Sequence, residues 1–170
     1  VGGMFERMGY RVEYVQADAM AQFAGLESGD LHIQTEIWPT TQGDRFEESV
    51  GSGNMLDMGE LGTFAIEEWW YPLYMKEFCP TLPDWHALLE ADCAEAFSSI
   101  ETAPMGRYLG GPAQWEGFDE ERVEALGLPF EVVHAGSDAA MWAELDSGYA
   151  RKGPVLQWVW QPHWWPVKYE

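Results

Sequence analysis

Basic side chains are scarce in this chain. Nine Lys and Arg stand against 29 Asp and Glu, which gives a formal net charge of −20 and a pI near 4.3. Nucleic-acid binding needs clustered Lys and Arg to displace counterions from phosphates, so this balance excludes it. Attraction to an anionic membrane surface is excluded on the same ground. Most of the acidic charge reads as a solvated surface suited to a salty medium, with a share that raises the local concentration of cations near a cleft. Long hydrophobic runs are missing too: no stretch approaches the roughly 20 apolar residues that a membrane-crossing helix requires. Cysteine is nearly absent. Cys79 and Cys93 are too few for a disulfide scaffold, and no Cys/His set has metal-ligand spacing. The four histidines, His32, His86, His134 and His163, are scattered and form no helical pair. No phosphate loop, dinucleotide fingerprint or nucleophile elbow occurs, since Gly51-Ser52-Gly53 lacks the rest of either Gly-rich pattern. No cofactor, metal or catalytic residue is therefore expected.

What the chain has in abundance is aromatic. Its 170 residues are 46% hydrophobic, enough for one ordinary domain or two small lobes. Four of the ten tryptophans fall in the last eighteen residues, GPVLQWVWQPHWWPVKYE, between a Gly153-Pro154 break and Glu170. Val155 to Trp160 has the composition of a strand. Period-2 alternation puts Leu156, Trp158 and Trp160 on one face, and Val155, Gln157 and Val159 on the other. Pro162 ends it. In an α/β sheet Trp160 then sits at the carboxyl end of its strand, where ligands of such sheets bind. Taken singly, Trp158, Trp164 and Trp165 also suit a core, because aromatics dominate interiors.

Along the chain, Met4 to Met8 reads as the end of a helix stopped by Gly9. Arg11 to Gln16 alternates as a strand, Ala19 to Ser28 is a helix closed by Gly29, and Leu31 to Ile37 is a second strand. Helix, strand, helix, strand at this spacing predicts a right-handed crossover and a parallel sheet. Trp38-Pro39 lies at the end of the second strand. Asp44 to Val50 forms a short helix, and Gly51-Ser52-Gly53-Asn54 is the clearest break. Phe64 to Tyr74 is aromatic and contains Pro72; Asp84 caps a helix whose Trp85 is expected in the core. Glu120 to Leu126 is an amphipathic helix stopped by Gly127, Phe130 to His134 a strand, and Ser137 the cap of a helix with Met141, Leu145 and Tyr149 on one buried face.

Several segments carry a family resemblance. Trp160-Gln161-Pro162-His163-Trp164, followed by Lys168-Tyr169, is similar to the W-x-P-H-W…K-Y-D signature of the periplasmic substrate-binding proteins of glycine betaine/choline/trimethylamine-type ABC importers. Gly29-Asp30-Leu31-His32-Ile33-Gln34-Thr35-Glu36-Ile37-Trp38 resembles their G-D-[IL]-x-[IV]-x-x-E-[IV]-W stretch. Trp70-Tyr71-Pro72-Leu73-Tyr74-Met75 is a weaker match, with Tyr71 where the family usually has Val, and Gly111-Pro112-Ala113-Gln114-Trp115 is a further one. The resemblance implies a two-lobed α/β periplasmic-binding-protein fold of type II-like form, with the ligand in the interlobe cleft. It assigns residues 1–59 to a partial first lobe, 60–161 to the second, and 162–170 to a return toward the first. The chain opens on Val1 without an initiating Met, so it is expected to be a fragment. A first strand with its own aromatic binding residue would precede it, and more chain would follow Glu170. A monomer is expected, periplasmic or otherwise extracytoplasmic, serving an ABC permease and its ATPase in osmoprotection. In an oxidising periplasm Cys79 and Cys93 either close one bridge or remain two buried thiols.

The chemistry of the aromatics agrees with this resemblance. A quaternary or trimethylated ammonium has no N–H to donate and is recognised by the negative faces of aromatic rings. Trp38 and Trp160, both at strand ends and both in matching motifs, are the leading ligand-binding candidates. Trp70 follows, with Tyr71 its alternative in a shifted register; Trp115, Trp158 and His163 complete the set. His163 hydrogen-bonds either a ligand oxygen or the backbone. Choline, trimethylamine N-oxide and glycine betaine share the methylated head. The scarcity of cations for a carboxylate tail favours the first two. The competing class is a carbohydrate-binding or carbohydrate-active protein with stacked tryptophans and Glu67 and Glu68 as acid and base, but adjacent residues of an extended segment point to opposite faces.

Overall fold

The computed structural model describes residues 1–168, so Tyr169 of the W-x-P-H-W…K-Y element and Glu170 lie outside the described residues. The chain forms two compact units, residues 1–63 and 64–170.

The first unit holds three helices: α1 (Gly2–Arg7), α2 (Ala19–Ser28) and α3 (Pro39–Gly51). α3 is longer than the expected 44–50 because Pro39 starts it, its φ preset for the first helical position. α2 and α3 are joined by one polar bridge over one apolar anchor. Phe23 is fully buried, and the Arg45 guanidinium lies 5.5 Å from its ring centroid. Arg45 also donates to both Glu27 oxygens at 2.8 Å, while the Ser49 hydroxyl donates to Glu27 at 2.6 Å. The Ser49 hydrogen bond, then the Arg45 one, hold the Glu27 carboxyl below its usual pKa. The two expected strands of this unit, 11–16 and 31–37, are not formed: both segments run as irregular chain, and residues 1–63 contain no sheet. Alternation gives a strand its faces, but a ladder needs a partner for its N–H and C=O groups. Neither segment has one among the described residues.

The second unit is built on a four-stranded sheet, β1 (Ile66–Trp70), β2 (Gly106–Gly110), β3 (Phe130–His134) and β4 (Gln157–Gln161), in the order β1-β4-β2-β3. β2 runs parallel to β3, from Gly106 opposite Phe130 to Gly110 opposite His134, and parallel to β4 through Leu109 and Gln157. β1 closes the other edge antiparallel to β4, from Ile66 opposite Gln161 to Trp70 opposite Gln157. The sheet is thus mixed. β2 escaped the sequence pattern because glycines bound it; a Cβ on Gly106 would collide with the Phe130 ring, so the composition that hides the strand is what lets β3 approach.

Two layers cover the sheet. One is a core of Met75, Leu82, Leu88, Phe97, Tyr108, Phe130 and Leu156, into which α4 (Ala91–Ala96) brings Cys93. Cys93 is bonded to Cys79, with the Cα atoms 5.2 Å apart. α5 (Asp119–Ala125) supplies Val123 to the same core. The other layer is α6 (Asp138–Arg151), capped by the Ser137 hydroxyl accepting from the Ala140 N–H at 3.2 Å. Met141 and Leu145 of the expected stripe are buried, but Tyr149 is 40% exposed, its ring 6.1 Å from that of Tyr74. Trp85 is also not core. Its segment, Trp85–Leu89, is a short 3-10 helix capped by Asp84, and the indole stays 42% exposed, stacked on His86. The short α7 (Trp165–Lys168) returns to α6, where the Trp165 indole N–H and the Lys168 ammonium donate to the two Asp146 oxygens at 2.8 and 2.7 Å.

The bridge closes a loop with a sequence separation of 14. In the chain-entropy account this is worth about 3 kcal/mol. The double substitution C79S/C93S should lower the unfolding free energy by about that amount in urea titrations, and a reducing agent should reproduce the loss in the unsubstituted protein.

Candidate functional site

β4 organises the site through its alternation. Pairing with β1 puts Glu67 opposite Trp160 and Trp69 opposite Trp158, so these four share one face of the sheet. Glu68, opposite Val159, and Trp70, opposite Gln157, belong to the other face. There the Glu68 carboxylate accepts from the Trp70 indole and the Gln161 amide, both at 3.0 Å. Glu67 and Glu68 therefore leave β1 on opposite faces, with the Glu68 carboxylate engaged by Trp70 and Gln161, an arrangement that does not suit one acid/base pair.

On the Trp158/Trp160 face the rings converge. Trp158 and Trp160 have centroids 5.1 Å apart. Trp115 is brought in from the carboxyl end of β2 by the Gly111-Pro112 turn and stands edge-on to both, at 5.9 and 5.6 Å. Gly111 makes that approach possible: a Cβ there would stand 3.0 Å from Trp115 Cε3 and 3.6 Å from Trp158 Cε3. From α6, Trp142 lies 5.0 Å from Trp160 and stacks on His163 at 3.8 Å, nearly parallel. His163 presents its ring to Trp160 at 5.2 Å. These spacings are those of rings in mutual contact, which leaves no room for a ligand between them and only their outer faces for one to dock on. Beside the cluster lies a depression of about 270 Å³ lined by Glu67, Glu68, Trp69, Trp158 and Arg122.

The polar groups around the cluster are fixed. His163 Nδ1 accepts from the Trp165 backbone N–H at 3.3 Å, which leaves the ring proton on Nε2. Burial lowers the His163 pKa, with the Asp138 carboxylate acting against it. Asp119, buried at the start of α5, accepts from the Tyr108 hydroxyl at 2.9 Å; burial raises its pKa against that bond and against Arg122, 3.9 Å away.

The structure thus brings together Trp115, Trp158, Trp160 and His163 of the expected set. Trp70 lies on the opposite face, 6.0 Å from Trp165. Tyr71 packs against the disulfide-bearing core, where burial raises its phenol pKa. Trp38 belongs to the first unit, caps α3 with its backbone and donates its indole N–H to Glu36 at 2.7 Å. Trp69, Trp142 and Arg122 were not picked out by sequence reasoning. Trp142 follows Met141 on a helix the sequence does show, but its packing on Trp160 comes only from the fold, as does the approach of Arg122 on α5 to Trp158.

A family model described as OpuAC, the substrate-binding domain of an ABC-type glycine betaine transport system, matches residues 1–170. The trimethylamine N-oxide-binding protein of Pelagibacter ubique is 35% identical over 168 residues, covering 96% of this chain and 54% of that protein. Among solved structures, the glycine betaine/L-proline-binding protein ProX of Borrelia burgdorferi aligns with a TM-score of 0.73 at 23% identity, over 98% of this chain and 58% of that one. Lactococcal OpuAC, closed on glycine betaine, aligns with a TM-score of 0.70 at 16% identity, over 97% and 59%. At these identities the two structures speak for the α/β fold alone. The chain spans a little over half the length of each relative.

The lowered pKa of His163 has a signed consequence. The folded state holds the ring neutral, while the unfolded ring protonates near pH 6.5. The unfolded state therefore binds more protons as pH falls below that value, and stability falls with it until the folded pKa is passed. Replacing His163 by Phe should flatten this acid-side slope in urea midpoints measured between about pH 7 and pH 5.

Proposed function

We infer the function from a fixed point: this chain belongs to the OpuAC family, the substrate-binding domains of ABC-type glycine betaine transport systems. It captures a methylated amine as part of an extracytoplasmic solute-binding protein and hands it to an ABC permease driven by its ATPase. The supporting observation is the convergence of Trp115, Trp158 and Trp160 at the carboxyl ends of parallel strands, with the Glu67 carboxylate on the same face. A methylated ammonium head offers no N–H, so ring faces and a nearby carboxylate are the groups suited to it. Each desolvated ring contributes about 0.5–2 kcal/mol, and three or four suffice for micromolar binding, near −8 kcal/mol, after the costs of association.

Trimethylamine N-oxide comes first among the ligands, choline next and glycine betaine third. The 35% identical relative bears the name of the N-oxide, and a single anionic oxygen asks for fewer donors than a carboxylate; Arg122, beside Trp158, is placed to supply them. In this reading Trp38 of the first lobe, residues 1–59, completes the cage begun by Trp160 in the second, 60–161. His163, stacked on Trp142, orients the rings. Ligand contacts to both lobes then favour the closed state.

Titration calorimetry on the complete protein should show micromolar binding of the N-oxide, weaker binding of betaine, and a loss of at least about tenfold on Trp160→Ala. A neutral carbon isostere of choline should bind at least about tenfold more weakly than choline; equal affinity for the isostere would refute recognition of the charge by the rings.

A further inference from the structure

His134, the last residue of β3, makes two short hydrogen bonds from opposite ring nitrogens. Nδ1 lies 2.7 Å from the Gly111 carbonyl oxygen, and Nε2 lies 2.7 Å from Glu120 Oε1 at the start of α5. A backbone carbonyl only accepts, and an ionised carboxylate only accepts. A neutral imidazole has one N–H and can serve just one of them, so both bonds require the imidazolium. Gly111 is where the turn carrying Trp115 leaves β2, and its Cα faces the Trp115 and Trp158 rings. One bond thus fixes the peptide on which the cluster rests.

We propose that His134 is a positioning residue for the aromatic cluster: as an imidazolium it ties the Gly111 carbonyl to Glu120, sets the 110–115 turn that presents Trp115 to Trp158 and Trp160, and makes ligand affinity depend on its charge. This rests on the cluster being the ligand site. The carboxylates facing the ring favour the cation: α5 contributes Glu120 and the buried Asp119, and Arg122 of the same helix lies 3.9 Å from Asp119. From β2, Arg107 is turned away to Glu144 of α6 at 3.1 Å. Burial lowers the His134 pKa, but the Gly111 and Glu120 hydrogen bonds outweigh it, and the net direction is upward. A base with a raised folded pKa stabilises its contacts below the unfolded pKa and loses that contribution as pH rises through the folded one. The clamp is therefore complete on the acid side and opens on the alkaline side.

The test uses the complete protein and three readouts. The His134 ring resonance, followed by NMR, should titrate above the ordinary imidazole range near 6.5, and E120Q should bring its midpoint down. The resonance of Trp115, carrying a fluorine-labelled indole, should shift with the same midpoint in each protein. Trimethylamine N-oxide affinity should weaken about three- to tenfold as pH rises through that midpoint, and H134Q should be weak and pH-independent over the same range. A His134 midpoint at or below the ordinary range, or a Trp115 signal that ignores it, would overturn the proposal even if a variant folds poorly, because both are read in the unsubstituted protein. If Trp115 follows His134 while no methylated amine binds at any pH, the clamp stands as geometry, the ligand reading falls, and the proposed link to affinity falls with it.

Discussion

The second unit depends on β4 being an interior strand with both faces covered. It pairs with β1 on one side and β2 on the other, so neither edge is free, and its residues must satisfy two packing layers at once. Val155 and Val159, on one face, meet Trp142, Leu145 and Trp165. Leu156 and Trp158, on the other, meet the core around Tyr108. Trp160 reaches both the α6 layer and the group around Leu109, Ala135 and Met141. A one-residue slip of register would exchange the faces and move Trp158 and Trp160 off the side they share with Glu67 and Trp69. The same constraint that makes the sheet stable therefore fixes the indoles at the carboxyl ends of its parallel strands.

That location was legible in the sequence because two signals agreed there: alternation set the faces of residues 155–160 and Pro162 set the strand end, whereas the ladder starts at Gln157, two residues later than the composition suggests. α6 and β3 were legible for similar reasons, with Ser137 a true cap. Legibility failed where a residue's role depends on a partner far away in the chain. Residues 11–16 and 31–37 have strand patterns but no neighbour to pair with among the described residues. β2 has a neighbour on each side but hides behind glycines that exist to let those neighbours come close. Trp70 and Trp158 are equally aromatic in the sequence, and only the β1–β4 register separates their faces. Arg122 and His134 carry no local signal, since what they touch is set by how α5 and β3 meet.

Physically, the site combines an unusually acidic molecule with a nearly uncharged ring cluster. The net charge of −20 raises the concentration of cations around the protein without selecting among them. In the proposed reading, selection would fall to the indoles, because a methylated ammonium sheds its weak hydration more readily than an ion with N–H donors, and ring faces replace that hydration. The buried disulfide lies in the core around Tyr108 and Leu156, and Trp158 packs against that same core, so the bridge braces the layer on which one ring of the cluster rests.

The most direct test of cation recognition by the carboxyl-end tryptophans is a crystal structure of the complete protein with trimethylamine N-oxide bound. The ligand nitrogen should lie within about 6 Å of the Trp160 ring centroid. A ligand nitrogen seated out of reach of Trp160, or held chiefly by carboxylates with no ring face toward it, would contradict the account.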